Sequence, residues 1–332
     1  MTPLPSPRGP LTRMLLAHLA DPPHALPPID VPDDPEDRQL ALYLCYELHY
    51  RGLGGVPDDW EWEPSLLALR RALEDRFEGE LVARVPREAE ALRAQDADLA
   101  LRAIADADDG PSLSRHLERD GTLAQFREFV VHRSAYQLKE ADPHSWAMPR
   151  LSGPPKAALV EIQADEYGGG RAERIHARLF ADSMEALGLD STYGAYVDRL
   201  PAVTLQTVNL MSLFGLHRRL RGAIVGHLAL FEMTSSVPNR RYAAGLRRLG
   251  LSGAATEFFD EHVEADAVHE AVACVDLAGG LIGQEPALAG DVLWGARCLA
   301  ALERAWAVHL LEAWNAGRSS LRAPAGDPAV PA

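Results

Sequence analysis

Apolar residues recur at intervals of three and four along most of the chain, and no stretch sustains the strict alternation of a half-buried strand. The pattern predicts a first solid helix from about Asp37, through Leu40 to Leu48, to a stop at Gly52. A second covers 64–84, with Pro64 suited to a first turn that does not need its missing N–H. The alanine-rich, alternately charged stretch 86–107 reads as a third. The cluster from Asp106 to Gly110 is a break, and Ser112 or Ser114 can cap the segment over 112–140. From Pro155 onward the periodicity predicts helices at 155–167, 171–187, 190–198, 201–215, 217–234, 238–249, 252–272 and 286–316. The fold class is all-α. Residues 1–37, rich in Pro and Asp, are expected to form mostly an irregular arm, with a helix around 14–20. The Pro/Ala/Gly-rich tail, 319–332, is expected to be disordered. Residues 1–110 read as an N-terminal helical extension, although no linker separates them cleanly from 111–318.

Composition narrows the setting. The chain has 332 residues, 47% hydrophobic, enough to bury a large core. A formal net charge of −15 argues against general affinity for nucleic acid or anionic membrane. No apolar run approaches the roughly 20 residues that span a bilayer. The segment from Met14 to Ala20 is short, contains His18 and is followed by Asp21-Pro22-Pro23, so it reads as a helix of the mature protein and not as a signal peptide. Three scattered cysteines, Cys45, Cys274 and Cys298, form no CxxC pair and suit a reducing compartment. The expectation is a soluble, cytoplasmic protein.

Candidate chemistry concentrates in 258–270. At about 100° per residue, His262, Asp266 and His269 share one helical face, giving two imidazoles and a carboxylate that suit Fe, Mn or Zn. The plain alternative is a solvated acidic helix with two incidental histidines. A dinuclear site would need ligands from other helices. Glu173 and His176 form an E-x-x-H pair, which i, i+3 spacing places on one helical face, and Glu166 joins that face if the helix continues across Gly168-Gly169-Gly170. Those glycines make helical continuation costly, at about 1 kcal/mol each relative to alanine. Glu232, set among Leu, Phe and Met, needs solvent or a compensating charge: a metal, or an arginine such as Arg240 or Arg241. The remaining histidines lack such company and read as structural or surface residues.

The ordered set E-x-x-H, lone helical Glu, H-x-x-x-D-x-x-H resembles the haem-oxygenase-like diiron oxidases and oxygenases, among them the iron-containing redox enzymes. The stretches Glu140–Trp146, Glu161–Gly168 and Phe231–Ser236 add to the resemblance, which covers about 120–315. It implies a haem-oxygenase-like multi-helix bundle over 111–318 that holds two Fe(II)/Fe(III) ions. Carried over by position, the ligands would be Glu173, His176, Glu232, His262, Asp266 and His269, with Glu166 an additional carboxylate. It implies O2 as cosubstrate and oxidation of a small amine, amino acid or carboxylic acid, and it is compatible with an external reductant and a homodimer. The absence of clustered thiolates argues against structural zinc. Two other classes remain at this point: a metal-free helical enzyme of the thiaminase or quinone-biosynthesis type, and a non-catalytic helical binding protein.

Overall fold

A computed structural model describes residues 2–323, apart from the side chains of Glu264, Asp266, Ala267 and Val268. Among these residues there is no β-strand, only an isolated bridge between Thr2 and Leu53. The all-α expectation holds.

The N-terminal helices are α1 (Pro10–Leu19), α2 (Pro35–Glu47), α3 (Pro64–Arg84) and α4 (Ala97–Asp106). Proline opens the first three, at the position where its fixed φ and missing N–H fit a helix. Helices α5 (Leu113–Arg119) and α6 (Leu123–Gln137) follow, the first capped by Ser112 and the second by a reciprocal Thr122–Gln125 pair. After the single turn α7 (Asp142–Ser145) come α8 (Gly153–Glu166), α9 (His176–Ala186) and α10 (Ala202–Leu216). The bundle is completed by α11 (Arg221–Arg248), α12 (Ala254–Ala271), α13 (Gly280–Gln284) and α14 (Ala289–Asn315), with a π-helical stretch Val272–Gly279 continuing α12.

Helix α11 is the central member and packs on α12, α14 and α5, while α12 packs on α9 and α10 lies between α2 and α14. The crossing of α11 and α14 is set by two glycines. A Cβ at Gly226 would stand 1.8 Å from the Val292 carbonyl oxygen, and one at Gly295 would stand 2.0 Å from the Ala223 carbonyl oxygen. The backbones touch where side chains would normally intervene.

Several expected boundaries shift. The helices expected at 217–234 and 238–249 are one, α11 (Arg221–Arg248), with Pro238 inside it. Pro238 removes one N–H from the helical ladder, and α11 continues past it packed on α5, α12 and α14. The helix expected over 86–107 begins only at Ala97. Before it the chain is pinned to α14: the Val85 carbonyl accepts from Trp294 Nε1 (2.9 Å), and Arg87 Nε donates to Asp291 (2.9 Å). The expected helix at 190–198 is irregular, ending in a short 3-10 turn, Val197–Arg199.

The larger apolar core takes residues from Leu11 to Leu101 and from Val131 to Leu302, so the N-terminal helices share it with α10, α11 and α14. At the other end, Ser320 is buried, its Oγ donating to Glu128 at 2.6 Å, and the Arg322 N–H donates to the Arg199 carbonyl at 2.8 Å. These contacts place Ser320 and Arg322, at the start of the tail expected to be disordered from Ser319, against α6 and the 3-10 turn at Arg199. The remainder of that tail lies outside the described residues.

Candidate metal centre

Five segments converge inside the bundle. Glu140 stands in the turn after α6, Glu166 ends α8, His176 opens α9, Glu232 lies midway along α11, and His262 and His269 come from α12. All six side chains are buried. Their ligating atoms form two groups, Glu140–Glu166–His176–His262 and Glu166–Glu232–His269, each with atoms within 4.8 Å of one another. Glu166 belongs to both.

Local backbone features aim these side chains. Ala141, just after Glu140, takes φ 72° and ψ −30°, a rare conformation for a residue with a Cβ, and its carbonyl accepts from Gln163 Nε2 at 2.8 Å. Gly168, Gly169 and Gly170 all have positive φ, which glycine adopts without steric cost. They turn the chain sharply after Glu166, so that it faces His176 across the turn, with Oε2 2.9 Å from Nδ1.

The histidines are oriented from outside the groups. His262 Nδ1 donates to the Phe258 carbonyl at 2.7 Å, leaving Nε2 as the basic nitrogen, 3.5 Å from Glu140 Oε1. His269 Nε2 donates to Asp165 at 3.1 Å, leaving Nδ1 3.7 Å from Glu166 and 3.5 Å from Glu232. Such outer partners fix the tautomer that leaves a lone pair for a metal. Of the sequence neighbours that could serve so, Asp165 does, whereas Glu261 pairs with Arg174 and Glu270 with Arg102.

The electrostatics are those of a site built for cations. Burial would raise Glu166, but His176, His262 and His269 outweigh it and hold the carboxyl at about 2. Burial opposes a charge on His269 too, yet Glu232, Asp165 and Glu166 raise it to about 9. Burial dominates at Glu140 and pushes it up in spite of His262. Glu140 Oε2, His176 Nδ1 and His269 Nδ1 are buried without a hydrogen-bond partner, His176 Nδ1 being close to Glu166 but not aligned with it. Three ligating atoms left unsatisfied in one interior space are costly unless a cation completes them. The donor set of carboxylates and neutral imidazoles fits iron.

The structure brings together Glu166, His176, Glu232, His262 and His269 from the expected set, and it does not bring Glu173 to them. Glu173 lies exposed on the 3-10 turn Ala172–Arg174, outside both groups. The E-x-x-H argument needs a continuous helix, but Ile175 (φ −58°, ψ 129°) is not helical and α9 starts only at His176. Glu140, which sequence reasoning did not select, occupies a place in the first group instead. No periodic partner marks it; its one local sign is that it follows a helix with apolar surroundings. Asp266 is on α12, and its side chain lies outside the described residues. Arg240 is exposed and Arg241 faces Ser112, Ser114 and Glu118, so neither is placed as the counterion of Glu232.

The three cysteines are buried, and burial pushes each thiol up to about 12. None offers the thiolate that thiaminase-type catalysis requires. No helix among the described residues is long and apolar enough to cross a membrane.

The chain resembles a nitrosourea synthase of Streptomyces achromogenes subsp. streptozoticus, with 29% identity over 145 residues. That stretch is 43% of this chain and 30% of the relative, so the likeness spans under a third of the relative's length. The sequence profile of the iron-containing redox enzymes, a haem-oxygenase-like family, matches residues 127–304, more than half of the chain and the whole span from which the two groups are drawn. The chain belongs to the iron-containing redox enzyme family.

Proposed function

We propose that the protein is a non-haem diiron oxidase or oxygenase acting with O2 on a small amine, amino acid or carboxylic acid. The observation that carries this reading is the pair of buried donor groups sharing Glu166, with three of their ligating atoms lacking an aligned hydrogen-bond partner. Glu140, Glu166, His176 and His262 would hold one ion. Glu166, Glu232 and His269 would hold the other, with Asp266 from the same face of α12. Two bound irons would supply the electrons for reducing O2, and an external reductant would restore them.

The chain's own residues prepare the site. The Phe258 carbonyl and Asp165 hold His262 and His269 in the tautomers that present their other nitrogens inward. The carboxylates offset the charge of the ions, and Glu166, common to both groups, would serve both. Similarity to an enzyme named for making a nitrosourea is consistent with a nitrogen-containing substrate.

Anaerobic titration of the metal-free protein with Fe(II), followed by mixing with O2 under optical and Mössbauer detection, tests the proposal. About two irons per chain and oxidation of both by O2 are expected. No iron uptake would return the protein to the metal-free or binding-protein readings.

A further inference from the structure

Beside His262 a cavity of about 220 Å³ opens between α6, α9, α11, α12 and α14. It is larger than the roughly 150 Å³ cavity that accommodates benzene, so it has room for a ring and a short chain. Six rings, Phe129, Phe180, Phe231, Tyr242, Phe258 and Phe259, line it. Their faces favour an apolar body, and their quadrupoles favour a cation over an anion.

The polar lining points the same way. Arg133 is the sole Lys or Arg among the described lining residues, and it is already engaged. Its two terminal nitrogens donate to the two carboxylate oxygens of Glu303 at 2.9 and 2.6 Å, and its guanidinium lies 4.0 Å from the Trp306 ring centroid. A substrate carboxylate at Arg133 would have to share the guanidinium with Glu303, whose buried negative charge already neutralises it and would repel a second anion. Asp108 adds a second acid to the lining. Gln137 Oε1 also lines this space as a buried acceptor without a partner, open to a donor N–H.

We propose that this cavity is the substrate pocket and that it takes a hydrophobic amine lacking a carboxylate, with its N–H directed to Gln137. Among the substrate classes consistent with the diiron reading, on which this inference rests, the lining selects the amine. An apolar environment lowers an ammonium's pKa and so raises the share of amine with a free lone pair.

The test is calorimetric binding to the full-length protein, metal-free and Fe(II)-loaded under anaerobic conditions, with iron stoichiometry measured on the same samples. The probes are 2-phenylethylamine and n-octylamine against 3-phenylpropanoate, octanoate and phenylalanine. At least one amine is expected to bind ten or more times tighter than the acids and the amino acid. Gln137→Leu is expected to weaken that amine about tenfold, and Glu303→Gln to narrow the gap between amine and acid. An acid or phenylalanine binding as tightly as the amines, no amine binding, or unchanged amine affinity in Gln137→Leu would overturn the proposal. Amine binding without iron uptake would instead defeat the diiron reading and leave the pocket assignment standing. Two irons without amine preference would do the reverse.

Discussion

Lys139 and Glu47 form an ion pair whose two side chains are wholly withdrawn from solvent. Glu47 also accepts from the Tyr193 hydroxyl at 2.5 Å, and the Lys139 ammonium lies 4.1 Å from the Tyr50 ring centroid. The pair joins α2 to the residue immediately before Glu140, so the N-terminal helices help to fix one corner of the candidate centre.

Removing one partner of such a pair strands the other charge. Glu47→Gln is expected to destabilise the metal-free protein by about 3–5 kcal/mol in urea unfolding. The double variant Glu47→Leu with Lys139→Met, which removes both charges, should recover most of that loss. A single variant within about 1 kcal/mol of wild type would show that the pair is not isolated from water.

The corrected donor set separates two glutamates that lie in neighbouring stretches of sequence. Glu140→Gln is expected to reduce Fe(II) binding from about two ions per chain to about one. Glu173→Gln should leave it at two. Equal iron content in both variants, measured by anaerobic titration, would return Glu140 to a structural role.

Asp165 would act on a bound iron only through His269, to which it is hydrogen-bonded. Asp165→Asn keeps the shape but accepts a weaker hydrogen bond, and the affinity of the weaker iron site should fall about 10–100-fold with stoichiometry unchanged. Unaltered affinity would mean that other contacts hold the His269 ring.

His144 lies buried against His227, with ring nitrogens 3.2 Å apart, and burial lowers its pKa to about 4. Between about pH 6.5 and 4 the unfolded chain binds a proton there that the folded chain does not, so this contribution to stability is lost as pH falls through that window. His132 and His227 shift in the same direction. His144→Leu should therefore flatten the decline in urea midpoint of the metal-free protein below pH 6.5. Parallel curves for wild type and variant would rule out this cause.

Glycine matters at Gly226 for contact and at Gly79 for propensity alone. Gly226→Ala forces a methyl into the Val292 carbonyl and should cost at least the roughly 1–3 kcal/mol typical of overpacking. Gly79 in α3 has nothing within 4 Å of an added Cβ, and Gly79→Ala should stabilise by about 0.5–1 kcal/mol. Thermal melts of the two variants should move in opposite directions.

The helical class could be read from the sequence because apolar spacing and end signals such as Pro64 and Ser112 are local, and each appears in the structure where its chemistry places it. The face of α12 that carries His262 and His269 was legible for the same reason: one uninterrupted helix fixes their relation. The errors arise where tertiary contacts override local rules. Pro238 does not end α11, which continues to Arg248 while packed along its length on α5, α12 and α14. Glu173 was chosen by assuming a helix across Ile175, and Glu140 was passed over because a strained turn at Ala141, which has no sequence signature, is what brings it inward.

The shared carboxylate has a consequence for loading. A cation taken up beside His176 draws on the charge of Glu166, the same charge a second cation beside His269 would use. The two occupancies would therefore be energetically coupled, and by linkage each ion would alter the affinity of the other by the same factor. Two independent binding constants would misdescribe such a titration, and replacing Glu166 would disturb both steps together.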